Sequence, residues 1–308
     1  MIAERDDHSK LPHKCCDHSH EHEHGYEHND VPSFDASQLD SAANLILISV
    51  GNTRVTMAAY VDDKRAASHS VAINGSSVAL NGPAAAISDV VTEIDRVWKS
   101  LPASQSRAVV ITSVNPPVCE AIRNACDERK IGPVLVIGQE LDVPMATDVL
   151  EPEKVGTDRL CVAAAAFAKI KGACVVADFG TAVTIDLVAD NGIFLGGTIL
   201  PGMALSARAL HEFTASLPLV DVGRPTEVLG KDTNSAIRNG IFSMMIGALR
   251  EITERYATDI GKWPPLVVTG GDAEAIAAGC DFVDRVAPDL VLDGLVIAWQ
   301  NAFQTPES

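Results

Sequence analysis

The chain reads as an α/β protein of two duplicated halves, each running β-β-β-α-β-α, with a ligand cleft between them. Three observations predict this. Apolar residues switch along the chain between the runs and alternations of strands and the three-to-four spacing of helices. The stretch Leu45–Thr53 (LILISVGNT) parallels Cys174–Ala182 (CVVADFGTA), with Ser49 opposite Asp178 and Gly51 opposite Gly180. Further on, Val109–Asn115 (VVITSVN) parallels Leu266–Asp272 (LVVTGGD), each followed by a helical pattern. Two landmarks repeat in the same order, and pockets favour the interface between such halves.

In the first half, Leu45–Val50 is an apolar run and hence a buried strand, followed by a turn at Gly51-Asn52-Thr53-Arg54. Val55–Val61 and Arg65–Ile73 read as two more strands joined by Asp62-Asp63-Lys64. After a break at Asn81-Gly82-Pro83, the apolar positions 87, 90, 91, 94 and 97 predict a helix of about 14 residues that ends before Pro102. Ala108–Val114 is a strand stopped by Asn115-Pro116-Pro117, Val118–Ala125 a helix, Val134–Ile137 a short strand, and 138–155 a loop-rich segment.

The second half opens on an Ala-rich helix, Thr157–Lys171, with Gly172 suited to its C′ position. Ala173–Ala177 is a buried strand, Asp178 and Gly180 mark a tight turn, and Val183, Ile185 and Leu187 alternate with Thr184, Asp186 and Val188 in a second strand. Asp190-Asn191-Gly192 predicts a hairpin into a third strand, Ile193–Leu200. Met203–Glu212 is helical, Pro218–Pro225 a loop, and Ala236–Tyr256, with its long apolar stripe, the longest helix. Leu266–Thr269 is a strand, with helices over Ala273–Ala278 and Leu290–Phe303.

Residues 1–43 differ from the rest. They hold seven of the nine His and ten acids against three Lys/Arg, with almost no apolar periodicity. A disordered, acidic, His-rich tail is expected. Cys15, Cys16, His18, His20, His22 and His24 are possible metal ligands, but their spacing matches no closed zinc motif, and a solvated tail is the plainer reading. The expected domains are this tail, a half over 44–155 and a half over 156–308.

The 308 residues are 47% hydrophobic, enough for a sizeable core. The net charge of −17 argues against nucleic-acid or anionic-membrane binding, which need positive surface. No run approaches the roughly 18 apolar residues of a membrane span, and no signal-peptide pattern opens the chain. The seven Cys are scattered except Cys15-Cys16. A cytoplasmic location is expected.

The turn after the strand Ala173–Ala177 places an Asp, a Gly and a Thr at a hairpin mouth, where amides and a hydroxyl can hold phosphate and a carboxylate can hold a cation. Four such stretches together resemble the type III pantothenate kinases. Gly51-Asn52-Thr53-Arg54 is similar to their first phosphate loop, Gly156-Thr157-Asp158-Arg159 to their substrate motif, Asp178–Ala182 to their second phosphate loop, and Thr269-Gly270-Gly271-Asp272 to their adenosine motif. Gly196–Gly202 and Asp232–Gly240 also fit, and the resemblance spans about residues 45–303.

The resemblance implies two ribonuclease H-like, actin-like ATPase domains. It implies transfer of the ATP γ-phosphoryl to the primary hydroxyl of pantothenate, the first step of coenzyme A synthesis. Asp158 would accept the hydroxyl proton. Gly156, Thr157, Asp158, Arg159 and Thr233 would bind pantothenate, with Arg159 suited to a carboxylate or phosphate oxygen. Ser49, Val50, Gly51, Asn52, Thr53, Arg54, Val55, Thr56 and Thr181 would line the ATP phosphates. Asp178 would hold a monovalent cation, potassium or ammonium, beside magnesium. Family members are homodimers, and some are described as accessory factors in transcription.

From position alone, Asp158 at a helix N-terminus reads as a cap whose carboxylate is held ionised, with a lowered pKa. Two positions depart from the family pattern. Ser49 stands where the first loop begins with Asp, and a neutral hydroxyl is a poorer ligand for a hard cation. Val149 stands where a Tyr is common near pantothenate. Ser49 supports an alternative expectation: a weak or inactive family member that acts as a ligand-binding or regulatory protein.

Overall fold

The computed structural model describes residues 39, 43–73, 82–102 and 105–303. The readings made for the tail at 1–43 fall outside these, apart from Leu39 and Ala43.

In the first half, β1 (Asn44–Val50) pairs antiparallel with β2 (Arg54–Val61), which carries β3 (Lys64–Arg65) and β4 (His69–Ala72). Helix α1 (Gly82–Ser100) leads to β5 (Arg107–Ser113), parallel to β1, and α2 (Pro116–Glu128) to β6 (Val134–Val136). The sheet order is β3-β2-β1-β5-β6, with β4 also on β2. After α3 (Thr157–Ile170), the second half repeats the plan. β7 (Cys174–Phe179), β8 (Ala182–Val188) and β9 (Phe194–Pro201) are antiparallel. Helices α4 (Met203–Glu212) and α5 (Thr233–Ile260) follow, then β10 (Leu266–Thr269), α6 (Ala273–Ala277), β11 (Arg285–Val286) and α7 (Leu290–Phe303). This sheet runs β11-β10-β7-β8-β9, the mirror listing of the first.

Strand register supports the duplication. Ser49 pairs with Thr112 as Asp178 pairs with Thr269. The repeat also runs further than β-β-β-α-β-α, because each half adds a parallel strand (β6, β11) and a helix (α3, α7). The hydroxyls of the paired threonines reach the starts of those helices: Thr112 Oγ1 to Thr157 Oγ1 at 2.7 Å, and Leu290 N to Thr269 Oγ1 at 3.4 Å.

The central strands are apolar throughout because both faces are covered. Ile46, Ile48 and Val50 face α1 and α2, and Leu45 and Leu47 face α7 through Leu292, Leu295 and Trp299. Val175, Ala177 and Phe179 face α5 and α6, and Cys174 and Val176 face α3 through Leu160, Ala163 and Ala166. So α7, the last helix of the chain, returns to the first sheet. It crosses α3 closely, and a Cβ on Gly294 would overlap the Cys161 carbonyl.

Several elements differ from the sequence reading. The third strand of the first half breaks in two and shifts register by one residue, from Met57↔His69 to Tyr60↔Arg65. The residues at the break bond elsewhere: Ser68 Oγ donates to Asp289 at 2.5 Å, and Arg65 Nε to Asp293 at 2.8 Å. Helix α1 begins at the expected break, since Pro83 in a first turn loses no helical hydrogen bond. Helix α5 starts three residues earlier than its apolar stripe, at an Asp232/Ser235 capping box. A short 3-10 turn, Pro152–Lys154, lies in the loop-rich segment. The two-residue strand β11 was not foreseen.

Candidate active site

The two phosphate-loop candidates are hairpin turns at the same end of the paired sheets. In the first, Val50↔Val55 closes over Gly51–Arg54, and Gly51 N donates to Arg54 O at 2.9 Å. In the second, Phe179↔Val183 closes over Gly180–Ala182, and Gly180 N donates to Ala182 O at 3.1 Å. The first is one residue longer. The loops meet across the halves, with Thr53 Oγ1 and Thr181 Oγ1 2.5 Å apart. Arg54 extends toward the adenosine-motif candidate Thr269–Asp272, where a Cβ on Gly271 would lie 4.0 Å from Arg54 Nη1.

Val50, Val55 and Thr56 of the first-loop set are turned away from the loop mouth. Val50 and Val55 turn their side chains into the core. Thr56 Oγ1 is bound to Ser70 Oγ at 2.8 Å, on the β4 side of the sheet.

The substrate motif opens α3. Gly156 is the N-cap and Asp158 the second helical residue. This corrects the reading of Asp158 as a cap: its Oδ1 accepts from the Arg159 amide at 2.8 Å. It also corrects the expected lowered pKa. Burial pushes the Asp158 carboxyl up and outweighs the Arg159 amide and guanidinium that pull it down. A raised pKa makes Asp158 a better proton acceptor than a helix-start carboxylate ordinarily is. Gly156 keeps room for it, because a Cβ there would stand 2.6 Å from Asp158 Oδ1.

Asp178, the penultimate residue of β7, lies in the same neighbourhood. Its carboxyl is pushed up to about 7, first by burial and then by the like charges of Asp158 and Asp186. Gly270, at φ +94°, clears the space against it, since a Cβ there would overlap Asp178 Oδ1. Burial also raises Asp272, against the pull of Arg54.

Asp186, on β8, was read only as the polar side of an alternating strand. It is 0% exposed and paired with Arg159 through Nη2–Oδ1 and, at 3.3 Å, Nε–Oδ2. The guanidinium lies 5.4 Å over the Phe194 ring. Tyr256 OH donates to Ile185 O at 3.1 Å beside this pair. The sequence carried one signal for Asp186: a charge between the apolar Ile185 and Leu187, followed by Val188. Three carboxylates, Asp158, Asp178 and Asp186, therefore act on one another around a single guanidinium, Arg159. An excess of negative charge in a partly buried cleft suits a bound cation.

Thr233 opens α5, is exposed, and makes no hydrogen bond to this cluster. Val149 packs on the second core, and a Cβ on Gly196 would lie 3.5 Å from its Cγ1. Ser49 sits on β1 between Thr56 and Thr112, where the second half has Asp178 between Thr184 and Thr269.

Comparison with known proteins gives this arrangement a context. Residues 45–255 match the family pattern of type III pantothenate kinase. A type III pantothenate kinase of Rhodospirillum rubrum is 34% identical over 255 residues, covering 82% of this chain and 96% of that protein. One of Dehalococcoides mccartyi is 38% identical over 192 residues, 62% of this chain and 74% of that protein. Among solved structures, a conserved Campylobacter jejuni protein described as a Baf family transcriptional activator superposes with a TM-score of 0.51 at 19% identity, covering 84% of this chain and 100% of that one. That likeness concerns the fold, the duplicated actin-like ATPase fold, whose two halves the repeat predicted and whose type the family resemblance implied. With the four motifs in order on that fold, and a family match running from β1 into α5, the chain belongs to the type III pantothenate kinases, an enzyme family of coenzyme A biosynthesis.

Proposed function

We propose that the protein transfers the γ-phosphoryl of ATP to the primary hydroxyl of pantothenate, giving 4'-phosphopantothenate, with Asp158 as proton acceptor. The observation that carries this reading is that Asp158 lies within electrostatic reach of Asp178, at the start of the second loop, which touches the first loop at Thr53 and Thr181. Phosphoryl transfer asks mainly for positioning and charge stabilisation around an oriented hydroxyl. Asp158, raised by burial, suits the acceptor role. Gly156–Arg159 and Thr233 bind the acceptor molecule. The first-loop turn Gly51–Arg54 and the hydroxyls of Thr53 and Thr181 face the phosphates, and Arg54 adds a cation.

In this reading the halves over 44–155 and 156–308 are the two domains that hold nucleotide and acceptor. The donor set for cations fits unevenly. Asp178 is a carboxylate raised by burial and then by the like charges of its neighbours, and is suited to potassium or ammonium, which when bound would supply the missing positive charge. Magnesium neutralises phosphate charge in such kinases, and on the first loop it would meet only the Ser49 hydroxyl, so its other ligands would be phosphates and water. The protein works in the cytoplasm as a homodimer.

Ser49 favours a second reading, a silent binding protein. An ATP-dependent assay with pantothenate, magnesium and potassium separates the two. Turnover by the wild type supports the kinase. No turnover in the wild type, with activity appearing in Ser49→Asp, would establish the silent one.

A further inference from the structure

The geometry points to Asp186 as a positioning residue that sets the acceptor's carboxylate preference through Arg159. The inference rests on the proposed pantothenate kinase reading, in which Arg159 faces the acceptor. Asp186 is 0% exposed, on the middle of β8, and its two oxygens take the Nε and Nη2 edge of Arg159. A buried charge is retained only where it is paired, so this carboxylate is committed to Arg159. Its surroundings fix it further, since a Cβ on Gly197 of β9 would overlap Asp186 Oδ1.

An arginine side chain has five N–H donors in a rigid fork. With Nε and one Nη2 proton taken by Asp186, the end of the fork, Nη1 with the second Nη2 proton, keeps its donors. Among the described residues Nη1 makes no hydrogen bond. Two parallel N–H groups on one edge are the shape that reads a carboxylate bidentately. Phe194 covers one face of the guanidinium, so the fork is held in plane and edge together.

The obvious rival partner is Asp158, one residue away, which already attracts the guanidinium. Asp186 therefore does two things: it points the fork at the acceptor's anionic end, and it holds the fork off the carboxylate that must take the hydroxyl proton. Removing the Asp186 charge would also make Arg159 a stronger free cation. That gain goes to Asp158 rather than to the acceptor, because Asp158 is present whether or not an acceptor is bound.

The test compares two acceptors with the same primary hydroxyl, pantothenate and its carboxylate-free alcohol, pantothenyl alcohol. The readout is the ratio of their kcat/KM values. The wild type is expected to prefer pantothenate by about tenfold to a hundredfold, the value of a charge-assisted pair. In Asp186→Asn the ratio should fall to within about threefold of one, chiefly through a higher KM for pantothenate. Asp186→Asn strains a buried pair, so a second variant, Arg159→Met with Asp186→Asn, removes both charges. If Asp186 acts through Arg159, the double variant has the same ratio as Arg159→Met alone. An unaltered ratio in Asp186→Asn, or a loss shared equally by both acceptors, overturns the inference and leaves the kinase reading standing. No wild-type turnover of either acceptor overturns the kinase reading and the inference with it.

Discussion

Asp158 is the residue on which the proposed chemistry turns, and burial rather than the helix terminus sets its basicity. Asp158→Asn removes the proton acceptor while keeping size and shape. A kcat loss of about 100-fold to 10,000-fold is expected, with the KM for ATP little changed. Asp178 gives a different test. Its folded pKa of about 7 lies above the ordinary Asp value, so between those values the folded state holds a proton that the unfolded state has lost. Stability from this group is therefore full at the acidic end of that window and declines as pH rises through about 7. A cation on the carboxylate offsets the penalty. Added potassium should raise the melting temperature more at pH 8 than at pH 5.5, and Asp178→Asn should abolish both the slope and the potassium effect. A potassium shift of equal size at the two pH values would exclude Asp178 as the cation's ligand. At this level the sequence singled out Asp158, Arg159 and Asp178, which the fold brings within electrostatic reach of one another, because short motifs hold them. For Asp186 it offered only a charge set between Ile185 and Leu187, because the partner lies 27 residues away in the chain and becomes visible only when α3 packs on β8.

The crossing of α3 and α7 joins the halves, and its tightness rests on small residues. Ala163 and Ala166 line the sheet side of α3, and Gly294 of α7 meets the Cys161 carbonyl with no room for a side chain. Gly294→Val should destabilise the fold by about 3 kcal/mol, the upper range for overpacking a core, read as a drop of several degrees in melting temperature. A melting temperature unchanged within a degree would mean the helices yield freely there. The same region shows why some elements were legible and others not. The apolar runs of β1, β5, β7 and β10 are long enough to carry a period. β11 has only two residues, Arg285 and Val286, both exposed, and no period can be read from two. The break between β3 and β4 follows from long-range bonds of Arg65 and Ser68 to the start of α7, which no local pattern encodes. The added β-α unit of each repeat escaped notice for a related reason: α3 and α7 share burial and position but little sequence.

The molecule as a whole leaves one apolar surface to account for. Single exposed apolar residues need no explanation. Here Ile199 (65% exposed), Leu205, Phe213 (85%) and Leu219 lie along β9, α4 and the loop that follows, and Met244 is exposed on α5, against which α4 packs. β9 is an edge strand, bonded on its outer side at Phe194 by the 146–148 segment and at the end of the sheet order beyond it. A stable dimer needs about 800 Å² from each partner, more than a few isolated side chains provide. This run of adjacent elements, continuous through Pro201-Gly202 into α4, is the described surface that best supplies it. The protein should therefore sediment at twice its chain mass. Ile199→Asp combined with Phe213→Asp should convert it to monomer, because two charges at the centre of an apolar interface are desolvated without partners. Trp263→Asp, beyond the far end of α5, should leave assembly unchanged. Since the proposed acceptor site includes Thr233 at the start of that same helix, the monomeric variant should also lose about tenfold or more in kcat/KM while keeping its melting transition. A wild-type protein that sediments as a monomer would remove the interface, and the exposed stripe would then need another partner.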